Sequence, residues 1–157
     1  MTYTLVVRDA IEDDCNHLAK HIRDADRREI LDVSGLDPLT AFLESYKMSM
    51  APVTVESGDT GNPVLMCGVS PIYGGSLKEG AVWMMATNEL KDIKFEFLRR
   101  SNEVLDRISD PFTVVYNVVD KRNVLHIRWL KWLNFCFLRE VPNWGVGKIS
   151  VYEFVRI

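Results

Sequence analysis

The sequence predicts one α/β domain spanning residues 1–157, built as a mixed, strongly twisted sheet of about seven strands with helices on both faces. Two observations carry this expectation. β-Branched and aromatic runs of strand length alternate with longer stretches whose apolar residues recur every three or four positions. No linker, repeat or low-complexity tract divides the chain, and 157 residues suffice for one substantial core.

Tyr3–Arg8 alternates as a strand. From Asp9 to Ile30 a single helical stripe is expected, with Ile11, Cys15, Leu18, Ile22 and Ala25 inward and Asp13, Asp14, Asn16, Lys20 and Arg23 outward. Asp37 is an N-cap with Pro38 at the first helical position, opening a helix over Leu39–Met50 whose inner stripe is Leu39, Phe42, Leu43 and Tyr46. Pro52–Glu56 and Pro63–Val69 read as strands joined by the turn-forming run Ser57–Asn62. The glycine-rich run Ile72–Gly80 lacks the spacing of a phosphate loop and precedes a strand, so it reads as a connection. Ala81–Ala86 is a strand buried on both faces. A long helix follows over Lys91–Ile108, with Phe95, Leu98, Asn102, Leu105 and Ile108 inward, and Asp110-Pro111 ends it.

The stretch Phe112–Phe137 organises the rest. Phe112–Val118 suits a buried central strand. Asn123 is an N-cap residue for a helix whose apolar face holds Leu125, Trp129, Trp132 and Leu133, and Phe135–Leu138 resumes an apolar strand. A loop over Val141–Lys148 and a strand over Ser150–Ile157 complete the expected order β-α-α-β-β-β-α-β-α-β-β.

A net charge of −3 gives no broad attraction to nucleic acid or to an anionic membrane. No window approaches the roughly 20 apolar residues of a spanning helix, and the N-terminus has no signal-peptide pattern. Cys15, Cys67 and Cys136 are widely spaced and odd in number, which suits a reducing compartment and no zinc pattern. His17 and His21 share a helix face without an adjacent third ligand, so no metal site is expected.

The offsets Asn123, His126, Trp129, Leu130 and Asn134-Phe135 resemble the last motif of the GNAT (GCN5-related N-acetyltransferase) superfamily, which runs Asn, a small residue, an aromatic or Leu, Tyr, then Gly-Phe. The wording RNVLHIRWLKWLNF is similar to a phage branch of that fold, the internal virion protein A-like family. HIRDADRREI and WMMATNEL…FLRRS extend this likeness over nearly the whole chain. The resemblance implies that any acetyl-CoA would be contacted at Ala86, Thr87 and Asn88, and at Asn117 and Asn123. It implies that the first two helices flank the acceptor cleft, making Arg27 and Arg28 candidates for contact with a substrate or partner.

Three departures from the GNAT pattern bear on chemistry. The expected phosphate loop, Ala86–Ile93, holds no Gly, Arg or Gln, and it carries Glu89 and Asp92. The strand residues Trp83, Met84 and Met85 offer no base, and Leu130 stands where a Tyr would protonate the leaving thiolate. No catalytic residue is therefore assigned. Two functions follow from the resemblance. The first is a phage-encoded GNAT-like protein acting in virion assembly or early infection, with a degenerate acetyl-CoA site and a phage or host protein as partner. The alternative is an active acetyl-CoA-dependent N-acetyltransferase modifying a host or phage target. Either places the protein in the bacterial host cytoplasm, with virion association open. A third class, a small inhibitory binder, would use the charged turn Asp24–Glu29.

Overall fold

The computed structural model describes residues 4–73 and 78–157. Most of the glycine-rich connection (Gly74–Leu77) and Tyr3 lie outside the described residues. In chain order the elements are β1 (Leu5–Asp9), α1 (Asp14–Lys20), α2 (Asp24–Ser34), α3 (Pro38–Met48), β2 (Met50–Ser57), β3 (Pro63–Ile72), β4 (Glu79–Ala86), α4 (Leu90–Ser109), β5 (Val114–Asp120), α5 (Val124–Trp132), β6 (Cys136–Trp144) and β7 (Ile149–Arg156). The strands form one seven-stranded sheet in the order β1-β2-β3-β4-β5-β7-β6.

Neighbouring side chains on β3 show how the sheet divides its two cores. Leu65 and Met66 are both fully buried, yet Leu65 joins Ile93, Phe97 and Leu133 beneath α4 and α5, while Met66 joins Leu18, Ile22 and Phe42 beneath α1 and α3. Opposite side-chain directions at successive strand positions produce this division, and a strand covered on both faces must be apolar throughout. All strand pairings are antiparallel except β4 with β5, which is parallel and registers only Glu79–Ala81 against Val114–Tyr116. Beyond those three pairs the two strands diverge, opening the middle of the sheet.

Several elements depart from the sequence-based reading. The expected helix over Asp9–Ile30 is two helices. At the break Arg23 N–H donates to Ala86 C=O (2.9 Å), Asn88 N–H donates to His21 C=O (3.3 Å), and Ile22 bridges to Thr87. Ile22 keeps its inward phase (2% exposed) across the break, which is why periodicity alone does not reveal it. Asp14, expected outside, is buried because Arg8 and Thr54 reach its carboxylate. On α4 the inward residues are Ile93, Phe97, Ser101, Val104, Leu105 and Ile108, while Phe95 is 67% exposed. On α5 Leu130 and Leu133 are buried, but Leu125 and Trp132 are more than half exposed. The expected loop at Val141–Lys148 is strand as far as Trp144. Gly145 turns there at φ +72°, where a Cβ would lie 2.7 Å from the Val33 carbonyl of α2, so only glycine fits. Asp37 caps α3 as read, accepting from Thr40 N–H (3.1 Å).

Candidate functional site

The divergence of β4 and β5 needs something to hold its mouth. Asn117 supplies it: Nδ2 donates to Val82 C=O across the gap (2.8 Å), and Oδ1 accepts from Val118 N–H (2.8 Å). An amide inside an apolar strand needs partners, and both ends of this one are satisfied. On the same edge of β4, Ala86 N–H donates to Asp26 Oδ2 (3.0 Å) and Ala86 C=O accepts from Arg23. By strand alternation Met84, between them, also turns its backbone N–H and C=O towards the gap.

Two cavities meet here. One, about 530 Å³, is a groove between α4 and α5 lined by Leu90, Phe95, Leu98, Leu125 and Trp132, with Arg23, Lys91, Lys94 and Arg128 as its charged groups and no carboxylate among its described lining residues. The other, about 310 Å³, passes through the gap to the α2–α3 side, where its charged lining is Glu29 and Glu44. Met84, His126 and Trp129 line both.

At the start of α5 and along it, three buried polar atoms have no partner among the described residues: Asn123 Oδ1, His126 Nδ1 and Trp129 Nε1. Their spacing of three puts them on one helix face, beside the junction. Burial lowers the His126 pKa, holding the ring neutral, so one of its nitrogens is a free acceptor. Across from them, Asp26 and Glu29 on α2 bring carboxylate oxygens within 4.8 Å of His126 and of each other. Asp26 is 2% exposed and accepts from Arg23 Nη1 (3.2 Å), Asn123 Nδ2 (3.2 Å) and Ala86 N–H. A metal ion there would have to displace Arg23, so the group reads as an ion-pair network. Glu29 accepts from Asp120 N–H and from Asn123 Nδ2 (3.3 Å). Burial pushes its pKa up to about 7; the Asp120 N–H works against this, and the Asp26 charge adds to it.

Of the residues singled out from the sequence, Asn117 lies at the gap, and Asn88 lines the groove. Asn123 neither caps α5 with its side chain nor lines a cavity; it ties α5 to α2 through Asp26 and Glu29. The loop after β4 has no idle N–H groups. Ala86 donates to Asp26, Thr87 to Val64 C=O (2.8 Å), Asn88 to His21 C=O (3.3 Å) and Glu89 to Thr87 Oγ1 (3.3 Å). Leu90, Lys91 and Asp92 donate to carbonyls three residues back. Glu89 itself turns away to accept from Thr60 Oγ1 (2.7 Å) and Asn62. Arg27 and Arg28 are exposed on α2 and line neither cavity. His17 and His21 lie with ring centroids 4.5 Å apart and planes tilted by 39°, with His21 past the helix end. Sequence reading missed Asp26 and Glu29, whose alternating charged context resembles a solvated turn, and it did not single out Lys91, Lys94 or Arg128.

No family model matches the chain, and no curated protein matches it in sequence. Solved structures do match in fold. The ribosomal-protein-S5-alanine acetyltransferase of Vibrio fischeri aligns at TM-score 0.68 and 15% identity over 100% of this chain and 97% of its own. A GNAT-family acetyltransferase of Streptococcus pneumoniae aligns at 0.62 and 16%, covering 98% of each chain. An acetyltransferase candidate of Salmonella typhimurium, solved with its cofactor acetyl-CoA, aligns at 0.66 and 14% over 97% of this chain and 92% of its own. The chain has the GNAT acetyltransferase fold.

Proposed function

We propose that the protein is an acetyl-CoA-dependent N-acetyltransferase whose cofactor lies in the groove between α4 and α5. The observation that carries this reading is the set of partnerless buried atoms on α5 beside the junction of the two cavities. An unpaired buried polar group costs about 1–3 kcal/mol, so His126 Nδ1 and Trp129 Nε1, whose residues line both cavities, point to a ligand that pairs them. Trp129 Nε1–H is a donor suited to a carbonyl of the acyl or pantetheine chain, and the Met84 N–H faces the same space. Backbone amides after β4 are occupied, so phosphates would rest on Lys91, Lys94 and Arg128, which line a groove free of carboxylates. This arrangement replaces the glycine-rich loop by side-chain cations.

Calorimetric titration with acetyl-CoA tests the reading. Binding in the micromolar range is expected, weakened by Trp129→Phe, which removes the indole N–H together with part of the ring, and by Arg128→Glu. No binding at millimolar acetyl-CoA by the folded protein would sink it.

A second reading retains the fold without the chemistry: a phage protein acting in virion assembly or early infection, with a phage or host protein as partner. Its support is the occupied loop after β4, the absence of a tyrosine among the described lining of either cavity, and the sequence resemblance to internal virion protein A. Arg27 and Arg28 would then contribute to the partner surface. Affinity capture by the wild type that an Arg27→Glu, Arg28→Glu variant loses, with no acetyl-CoA binding, is the result this reading requires.

A further inference from the structure

We infer that the acyl acceptor is a primary amine on an apolar body, seated between α2 and α3 with its nitrogen at Glu29. This rests on the acetyltransferase reading above. Charge separates the two cavities. The groove between α4 and α5 carries cations and no carboxylate, whereas the cavity through the gap carries Glu29 and Glu44 and no Lys or Arg among its described lining. Arg23, which lines the groove, is already paired with Asp26. A cation entering from the α2–α3 side therefore meets two carboxylates, while an anion is repelled. The rest of the described lining on that side is mainly apolar, with Ile30, Val33, Leu36 and Met48 around Trp83, whose indole N–H is satisfied by Ser49 Oγ (2.7 Å). Of its serines, Ser34 Oγ donates to Ile30 C=O (2.8 Å), Ser70 Oγ pairs with Ser49 Oγ (3.3 Å), and Ser45 completes the wall. Such walls suit an alkyl or aryl body, not one carrying several charges or hydroxyl groups.

At the inner end an ammonium has three N–H donors to place. Glu29 and the neutral His126 ring offer acceptors within 4.8 Å of each other. Glu29 is suited to the proton transfer because its surroundings favour the protonated form: burial first, then the charges of Asp26 on α2 and Asp120 on β5, opposed by the Asp120 N–H and Asn123 Nδ2. In the step, the Glu29 carboxylate takes one proton from the ammonium. The freed nitrogen lone pair forms the C–N bond to the thioester carbonyl carbon, and the C–S bond breaks as the carbonyl is restored. The departing CoA thiolate takes the second proton from the now cationic nitrogen, so no tyrosine is needed. Glu29 then returns its proton to solvent.

The test is calorimetric titration of the full chain with 2-phenylethylamine, phenylalanine and spermidine, alongside acetyl-CoA. 2-Phenylethylamine is expected to bind at least about tenfold tighter than phenylalanine, whose carboxylate meets Glu29 and Glu44, and tighter than spermidine. Glu29→Gln, which keeps the shape and an acceptor for Asp120 N–H, is expected to weaken 2-phenylethylamine about tenfold, and Glu44→Gln less. The inference is overturned if phenylalanine or spermidine binds as tightly, if the folded protein binds none of the three, or if Glu29→Gln leaves the affinity unchanged. Acetyl-CoA binding without amine binding overturns the amine seat alone. Amine binding without acetyl-CoA binding supports the seat and overturns acetyl transfer.

Discussion

Glu29 works against the stability of the fold as pH rises. Its pKa is raised from 4.5 to about 7 by burial and by Asp26, so the native state holds a proton more tightly than the unfolded chain. Stability from this group is therefore complete below about pH 4.5 and falls as pH rises towards 7. Glu29→Gln is expected to raise stability at pH 8, on the order of 2–3 kcal/mol, and to flatten the pH dependence between these values, as read by urea melts. The same substitution is expected to lower acetyl transfer by about 10²-fold or more, the usual weight of a general base. Asp14 has the opposite sign. Burial alone would raise its pKa, but Arg8, Ile11 N–H and Thr54 together hold it below the ordinary carboxylate value. Its contribution is present above the unfolded pKa and is lost on acidification. Asp14→Asn is expected to destabilise the fold at pH 7 by about 2–4 kcal/mol and to lessen the loss at low pH. At the gap, Asn117→Leu leaves Val82 C=O and Val118 N–H unpaired and is expected to cost about 1–3 kcal/mol in a chemical melt.

Among elements, α4 and α5 do two tasks with different faces. Their inner residues, Ile93, Phe97, Leu130 and Leu133, fill the core, and Phe95, Leu125 and Trp132 are left over to wall the groove. Reading all apolar residues of a helix as one inward stripe blurred this division, since a wide apolar arc looks the same whether it meets a core or a ligand. The charges were legible but not their convergence. Lys91 and Lys94 stand on one helix and Arg128 on another, and only the packing of the two brings them to one groove. Joint Lys91→Glu and Arg128→Glu substitution is expected to abolish acetyl-CoA binding in calorimetry while leaving the melting temperature within a few degrees. Wild-type affinity is expected to fall as salt rises, because exposed charges are screened. The break between α1 and α2 was hidden for a related reason. Its partners, Ala86 and Asn88, lie more than sixty residues away, and local periodicity carries no information about them.

For the molecule as a whole, one continuous sheet separates two cores and parts at one place, between β4 and β5. Leu133 is fully buried among residues from β5, α4 and β7, so Leu133→Ala is expected to cost about 2–5 kcal/mol in a reversible melt, with the spread set by how far the cavity collapses. The sequence by itself determined the strand runs, the Asp37 cap, the α/β order beyond the first helix and the resemblance of the Asn123–Phe135 spacing to the GNAT motif. These are local properties: side-chain alternation, helical period and capping chemistry act over a few residues. Tertiary structure alone decided that β4 and β5 part after three pairs, that α2 brings Asp26 and Glu29 to the face of α5, and that Asn123 binds these carboxylates instead of capping its helix. Each depends on groups distant in sequence, and a carboxylate acquires a raised pKa only when folding removes its water and sets another charge beside it.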